Sequence, residues 1–208
     1  MQRKKIRVLI MVGGLLAGGA MFGSSNAEAG ATAAMLADTC AGCHGTNGLS
    51  GGPAMPTIGG MKTEYLQAIM AEFKSGERPS TIMGRIAKGY TKEETAKISD
   101  HLAMQPWGNA TSAHQSKNRT HISSKLADQG EKLVKKGKCE KCHEDNGMAQ
   151  DEDTPRMAGQ WVDYLIFKMH DLKNKDLNVP QPKKMAKRIK KFSVEELEAM
   201  AHFYASQK

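Results

Sequence analysis

The pentapeptide Cys-x-x-Cys-His occurs twice, as Cys40-Ala-Gly-Cys43-His44 and Cys139-Glu-Lys-Cys142-His143, and the chain has no other cysteine. Two thiols one helical turn apart can each form a thioether, and the imidazole beside them can take a metal. This is the attachment pattern of a c-type haem, whose two vinyl groups take the thiols and whose iron takes the histidine. Two copies predict two covalent haems and a chain folded around them. A redox disulfide does not require the following histidine, and a thioredoxin-type motif sits in a βαβ pattern that is absent here. One zinc site shared by four cysteines and two histidines would need the motifs to meet, yet each lies in its own copy of a repeat.

The repeat extends well beyond the two motifs. At an offset of 99, Asn47-Gly48 fall on Asn146-Gly147, Pro56 on Pro155, Gly60 on Gly159, Tyr65-Leu66 on Tyr164-Leu165, Met70 on Met169 and Lys74 on Lys173. Further on the offset becomes 102, placing Met83 on Met185, Thr91 on Ser193 and Glu93-Glu94 on Glu195-Glu196. A three-residue insertion between Lys173 and Met185 reconciles the two, as expected for duplication of one haem domain.

Each half reads as helical. Tyr65, Leu66, Ile69, Met70 and Phe73 recur at three- and four-residue spacing, as do Trp161, Tyr164, Leu165, Lys168, Met169 and Leu172. Thr91-x-x-Glu94 and Ser193-x-x-Glu196 are capping boxes that open the last helix of each half. No stretch alternates with a period of two, so the fold class is all-α: two tandem domains, at 30–105 and 125–208. Residues 106–124 are polar and read as a linker, with Trp107 and Ile122 available to pin it. Domains this small bury little surface of their own, and the haems would supply the missing apolar interior.

The first 29 residues read as a cleavable export signal. Arg3, Lys4, Lys5 and Arg7 precede an apolar stretch from Val8 to Phe22, and Ala27-Glu28-Ala29 gives a small-x-small cleavage pattern after Ala29. An uncleaved anchor is the alternative, but the run is short and broken by glycines. The expectation is a periplasmic product without stable membrane insertion. Loss of four basic residues and one acidic residue lowers the formal charge from +8 to +5, and haem propionates would offset much of the rest. The basic composition is thus a poor argument for nucleic acid, and no aromatic-basic interleaving supports it. No phosphate-cradling or dinucleotide fingerprint occurs, so a flavin is not expected in this chain.

His44 and His143 are the expected proximal ligands, each oriented through its other ring nitrogen by a backbone carbonyl near Pro56 or Pro155. Of 14 methionines only Met70/Met169 and Met83/Met185 occur in both halves. The first pair lies on the apolar face of a predicted helix, where methionine packs in a core. The second lies beyond that helix, in stretches that Pro79 and Gly84 or Pro180 and Pro182 punctuate as loops, where a loop sulfur can reach over a haem. Met83 and Met185 are the expected sixth ligands and the helical pair is the alternative. Bis-histidine ligation lacks support, because His101, His170 and His202 have no counterpart in the other half. His114 and His121 fall in the linker.

The run Phe73-Lys-Ser-Gly-Glu-Arg-Pro-Ser-Thr-Ile-Met83-Gly-Arg-Ile-Ala-Lys-Gly-Tyr90 resembles the dihaem cytochrome subunits of flavocytochrome c sulfide dehydrogenases. So do Cys40-Ala-Gly-Cys-His-Gly-Thr46, Ala158-Gly-Gln-Trp161, Lys183-Lys-Met185-Ala and Phe203-Tyr-Ala-Ser-Gln207. The similarity runs through the chain after the signal in the same order and is weakest in the linker. The resemblance implies two class I cytochrome c-like domains with ligand pairs His44/Met83 and His143/Met185. It also implies a separate FAD-binding subunit that oxidises sulfide, with this chain accepting the electrons and passing them to a small soluble c-type cytochrome or similar carrier. The chain would then hold no catalytic residue of its own. A free-standing dihaem carrier similar to cytochrome c4 shares the same repeat and ligands and is the alternative. A haem peroxidase would need an open iron, against which the paired methionines argue.

Lys183, Lys184, Lys187, Arg188, Lys190 and Lys191 surround Met185. They read either as a docking rim for an acidic partner or as a solvated face that balances propionates.

Overall fold

The computed structural model describes residues 30–108 and 122–207. The expected signal segment, its cleavage point, the linker stretch 109–121 and its two histidines lie outside the described residues. The described residues after Gly30 form one compact body. It is all-helical, with no strand among the described residues.

The first half comprises α1 (Ala33–Asp38), α2 (Ala41–His44), α3 (Thr63–Ser75), α4 (Met83–Ala87) and α5 (Lys92–Ala103). The second comprises α6 (Ser124–Gly137), two short turns at Cys139–Lys141 and Glu144–Gly147, α7 (Val162–Lys173), α8 (Lys183–Ile189) and α9 (Val194–Ser206). Both capping boxes form. Thr91 Oγ1 accepts the Glu94 N–H at 3.1 Å while Glu94 accepts the Thr91 N–H at 2.8 Å. Ser193 and Glu196 do the same at 3.2 and 2.8 Å. Helices α5 and α9 therefore begin where they do because two orphan amides at each start are satisfied by side chains.

Helix α1 packs on α5, and α3 packs on α4 and α5; in the second half α6 and α7 pack on α9. The crossing of α6 and α9 is close because Gly130 lacks a side chain: a Cβ there would meet the Ala199 carbonyl oxygen at 2.0 Å. Two separate apolar clusters result. The first is small, built on Leu36, Ala37, Met61, Leu66, Ile98 and Leu102, with Trp107 packed against it. The second is larger, centred on Leu133, Val162, Leu165, Met169, Leu197, Met200 and Phe203, with Ile122 against it. Trp107 and Ile122 thus tie the described ends of the linker to the two clusters.

The conserved spacing of the halves has a backbone cause. The Gly48 carbonyl accepts the Ile58 and Gly59 amides at 2.8 and 3.1 Å, and the Gly147 carbonyl accepts those of Met157 and Ala158 at 2.8 and 3.0 Å. Next, the Gly60 N–H donates to Leu102 and the Gly159 N–H to Tyr204. Gly60 and Gly159 have φ of 76° and 74°, in the left-handed region where a side chain is strained. Each half therefore closes its long loop on itself with the same two bonds and ties it to the last helix with the same third.

The halves meet through side chains that read backbone. Gln160, 1 % exposed, accepts the Thr57 N–H at 3.0 Å and donates to the Thr57 carbonyl at 2.9 Å. Its Oε1 also accepts the Trp161 N–H at 3.1 Å. Trp161 Nε1 donates to the Ser50 carbonyl at 3.3 Å. Gln150 repeats the device at the rim, donating to the Gly60 carbonyl and accepting the Lys62 N–H. Arg156 lies over the Trp107 ring, 5.0 Å from its centroid.

Candidate functional site: two cysteine–histidine turns

In the first half, Thr39 caps the end of α1 and the chain turns directly into α2. The Cys43 and His44 amides donate to the Cys40 carbonyl at 3.3 and 2.9 Å, which places both thiols and the imidazole on one turn. In the second half the Cys142 and His143 amides donate to the Cys139 carbonyl at 3.2 and 3.0 Å, the same pattern. All four thiols are free, with Cys43 and Cys142 exposed and Cys40 and Cys139 half-buried against the two apolar clusters. Burial pushes the Cys40 and Cys139 thiols up from the ordinary range.

His44 is buried, and its Nδ1 lies 2.9 Å from the Pro56 carbonyl oxygen. A carbonyl can only accept, so Nδ1 carries the proton and Nε2 keeps a free lone pair. Burial, opposed in part by that carbonyl, lowers the His44 pKa and favours the neutral ring that a metal needs. Burial likewise lowers the His143 pKa, with Asp153 acting against it. Its Nδ1 differs: it is buried without a hydrogen-bond partner, so the carbonyl expected near Pro155 is not used. The His143 ring instead meets Tyr204 edge-on at 6.2 Å.

The donor set passes a chemical test for covalent haem. Each turn presents two thiols outside any disulfide and an imidazole whose pKa burial lowers, in sequence register, and the His44 tautomer leaves Nε2 available. No cluster of three or more metal-binding side chains occurs among the described residues, so the shared metal centre has no support there.

Met83 and Met185, expected in loops, stand in the first turns of α4 and α8. The segments fold as short helices because the residues before them supply acceptors. Ser80 Oγ takes the Gly84 N–H at 2.8 Å, and the Pro182 carbonyl takes the Ala186 N–H at 3.0 Å. Both methionines are half-buried. Met169 of the alternative pair is buried in the second core, while Met70 is half-buried on α3.

The repeated lysines, which the sequence marks without a reason, hold these helices. Lys74 Nζ donates to the Tyr90 carbonyl. Lys173 Nζ donates to the carbonyls of Ile189 (3.4 Å), Lys190 (3.2 Å) and Phe192. Tyr90 and Phe192 are equivalent in the repeat. In each half an ammonium on the preceding long helix thus meets backbone carbonyls at or just past the end of the methionine helix, one in the first half and three in the second. Each methionine helix is also tied to its cysteine turn, by different chemistry. Tyr90 Oη bonds Thr39 Oγ1 at 2.5 Å in the first half, and Arg188 donates to the Lys138 carbonyl in the second.

The unpaired histidines have structural partners. His202 Nδ1 accepts the Ser123 N–H at 3.2 Å at the start of α6, His170 pairs with Glu198 at 2.8 Å, and Gln105 Nε2 lies 3.4 Å from His101 Nε2.

Comparison with known proteins decides the family. The family model for cytochrome c matches residues 27–119. A cytochrome c-554(548) of Halomonas halodenitrificans is 30% identical over 70 residues, covering 32% of this chain and 84% of that protein. The chain belongs to the cytochrome c family. Covalent haem c is the cofactor that membership implies, and electron carriage is its role. A second relative is the cytochrome subunit of sulfide dehydrogenase of Chlorobaculum tepidum, 47% identical over 68 residues. That match covers 33% of this chain and spans only 61% of the relative's own length. Among solved structures, reduced recombinant cytochrome c4 from Pseudomonas stutzeri superposes with a TM-score of 0.71 at 22% identity. It covers 86% of this chain and 100% of that one, so the expected all-α fold is borne out and two tandem cytochrome c domains are consistent with it. No helix among the described residues is long and apolar enough to cross a membrane.

Proposed function

We propose that this chain is a periplasmic dihaem cytochrome c that accepts electrons from a FAD-containing, sulfide-oxidising partner and passes them to a small soluble carrier. The 47% identity to the cytochrome subunit of sulfide dehydrogenase carries the donor side of this reading. The two matching cysteine–histidine turns support two haems, one per half, in domains at 30–105 and 125–208 after removal of a signal ending at Ala29. Cys40 and Cys43, and Cys139 and Cys142, would form the thioethers. His44 with Met83, and His143 with Met185, would be the axial pairs.

Haem held this way supplies a one-electron centre whose methionine ligation raises the potential relative to bis-histidine and leaves no position open for substrate. The chain's own contribution is placement. The Pro56 carbonyl orients His44, and Lys74 and Lys173 keep the methionine helices in place. Gln160 and Gln150 hold the two halves together. The sulfur chemistry belongs to the partner, and this chain has no catalytic residue of its own.

Purification from the native source, with haem, flavin and protein quantified together, tests the reading. Two haems per chain, an associated flavoprotein and reduction by sulfide are expected. A flavin-free protein that sulfide does not reduce would favour the second reading, a free-standing carrier of the cytochrome c4 type. That reading draws on the fold similarity, which spans the whole of that protein. Met83→Ala and Met185→Ala should each abolish the weak far-red band of methionine-ligated ferric haem in one half. Persistence of the band in both variants would move the ligand assignment to Met70 and Met169.

A further inference from the structure

The duplication supplies an internal control for surface charge. The segment 183–191 of the second half contains Lys183, Lys184, Lys187, Arg188, Lys190 and Lys191 and no acidic residue. Its counterpart 81–89 in the first half contains only Arg85 and Lys88. The five lysines are exposed and Arg188 is half-buried. None of the six takes part in an ion pair among the described residues. The adjoining turn does not share the excess, because Glu140, Glu144 and Asp145 there outnumber Lys138 and Lys141.

This charge is placed where it harms the helix that carries it. Lys183 and Lys184 open α8, against the positive end of the helix dipole. Lys183 and Lys187, and Lys184 and Arg188, are like-charge pairs at i,i+4, which destabilise a helix. The first-half counterpart α4 forms around a methionine without such charge, so holding a methionine does not require it. A face that costs its own helix stability, beside the attachment turn of the second half, calls for an external anion.

We propose that the α8 face, from Lys183 to Lys191, is the docking surface for an acidic redox protein that exchanges electrons with the second half. The occupant is committed by charge complementarity: six cations within nine residues, none in an ion pair among the described residues, steer a negatively charged partner, and the equivalent face of the first half does not. The proposal rests on the electron-carrier reading and not on the identity of the donor. Both candidate functions need an exit for electrons, and the test below loads the protein chemically.

The test is stopped-flow oxidation of the ascorbate-reduced dihaem protein by an acidic plastocyanin, over a range of ionic strength. The second-order rate constant should fall by roughly tenfold between about 10 and 200 mM salt. Lys184→Glu with Lys187→Glu should lower it by roughly tenfold at low salt. Arg85→Glu with Lys88→Glu, at the matching face of the first half, should change it less than about twofold. The first double variant turns the two repulsive i,i+4 pairs into attractive ones, so it should melt no lower than the parent. Stability and rate then move in opposite directions, which a folding defect cannot produce.

Three results would overturn the proposal. Equal losses in the two double variants would make the effect one of net charge. An unchanged rate, together with parent binding to phosphatidylglycerol vesicles that the variant lacks, would assign the face to a membrane. A rate loss accounted for by a shifted midpoint potential of the second haem would assign the cations to propionate balance.

Discussion

Gln160 offers the sharpest test of how the halves are joined. Its side chain is 1 % exposed and makes three hydrogen bonds to backbone, at 3.0 and 2.9 Å to Thr57 and 3.1 Å to Trp161. Gln160→Leu keeps the volume and removes all three. Thr57, itself 2 % exposed, would then leave both an N–H and a carbonyl buried without a partner. Each orphaned group costs about 1–3 kcal/mol, and neighbouring losses add less than fully. The expected loss is about 3–5 kcal/mol, a large part of the about 5–15 kcal/mol that holds a typical protein folded. At about 2–4 °C per kcal/mol for a chain of this size, the melting midpoint should fall by about 6–20 °C.

The assay is thermal and urea unfolding of the haem-loaded protein, followed by far-ultraviolet circular dichroism and by Soret absorption. Beyond the lower midpoint, the two halves should begin to melt separately, because of the buried links between them only the Trp161–Ser50 bond is left. Gln150→Leu is the matched control. It breaks the same kind of contact at the half-exposed rim, where water can replace it, so its cost should stay near about 0.5–1 kcal/mol. A Gln160→Leu variant within about 1 kcal/mol of the parent, still melting in one sharp step, would refute the reasoning.

Further outcomes follow from the same geometry. Lys173→Met removes the ammonium from three carbonyls at the end of α8 and should cost about 1–2 kcal/mol. It should also weaken the far-red band of the second haem while sparing the first, and an unaltered spectrum would contradict the positioning role. Thr91→Ala and Ser193→Ala each remove one capping box and should cost about 1 kcal/mol, read by urea titration. Burial lowers the folded-state pKa of His202, against Glu198 and Asp163. On acidification the unfolded chain therefore takes up the proton first. The contribution of His202 is complete above the ordinary histidine value of about 6.5 and is lost as pH falls below it. Protonated Nδ1 also cannot accept the Ser123 N–H. The gap in melting midpoint between parent and His202→Asn should narrow from pH 7.5 to pH 5, and a constant gap would contradict this.

Much of the fold was legible because the repeat filters the sequence for residues with a local duty. Asn47-Gly48 and Gly60 recur because each half needs the same backbone acceptor and the same left-handed turn. Thr91 and Ser193, each with its glutamate, recur because each last helix needs a start. The export signal and the linker histidines lie outside the described residues, so the structure adds nothing to them. The two sulfurs were expected in loops because Pro79, Gly84, Pro180 and Pro182 read as breakers. In the structure Pro182 caps a helix as readily as it would end one. Lys74 and Lys173 were visible as a recurring pair, but the carbonyls they serve lie 16–19 residues further on, beyond the reach of any local pattern.

What the repeat conceals is whatever the two halves do differently. Gln160 falls opposite Met61, Trp161 opposite Lys62 and Gln150 opposite Gly51, so none of these three bridging side chains has a counterpart. The same holds for Arg188, opposite Ile86, and for most of the basic face around Met185. This division has a physical basis. A position shared by both halves answers to the haem site proposed for each, whereas a hydrogen bond between the halves needs a donor on one side and an acceptor on the other. Repeated residues should then damage only their own half when altered, as Lys173→Met is expected to do. Unrepeated ones should act on the joint or on a partner, as Gln160→Leu and, through Lys184, the Lys184/Lys187 reversal are expected to do. Loss of both haem spectra on changing a single repeated residue would break that correspondence.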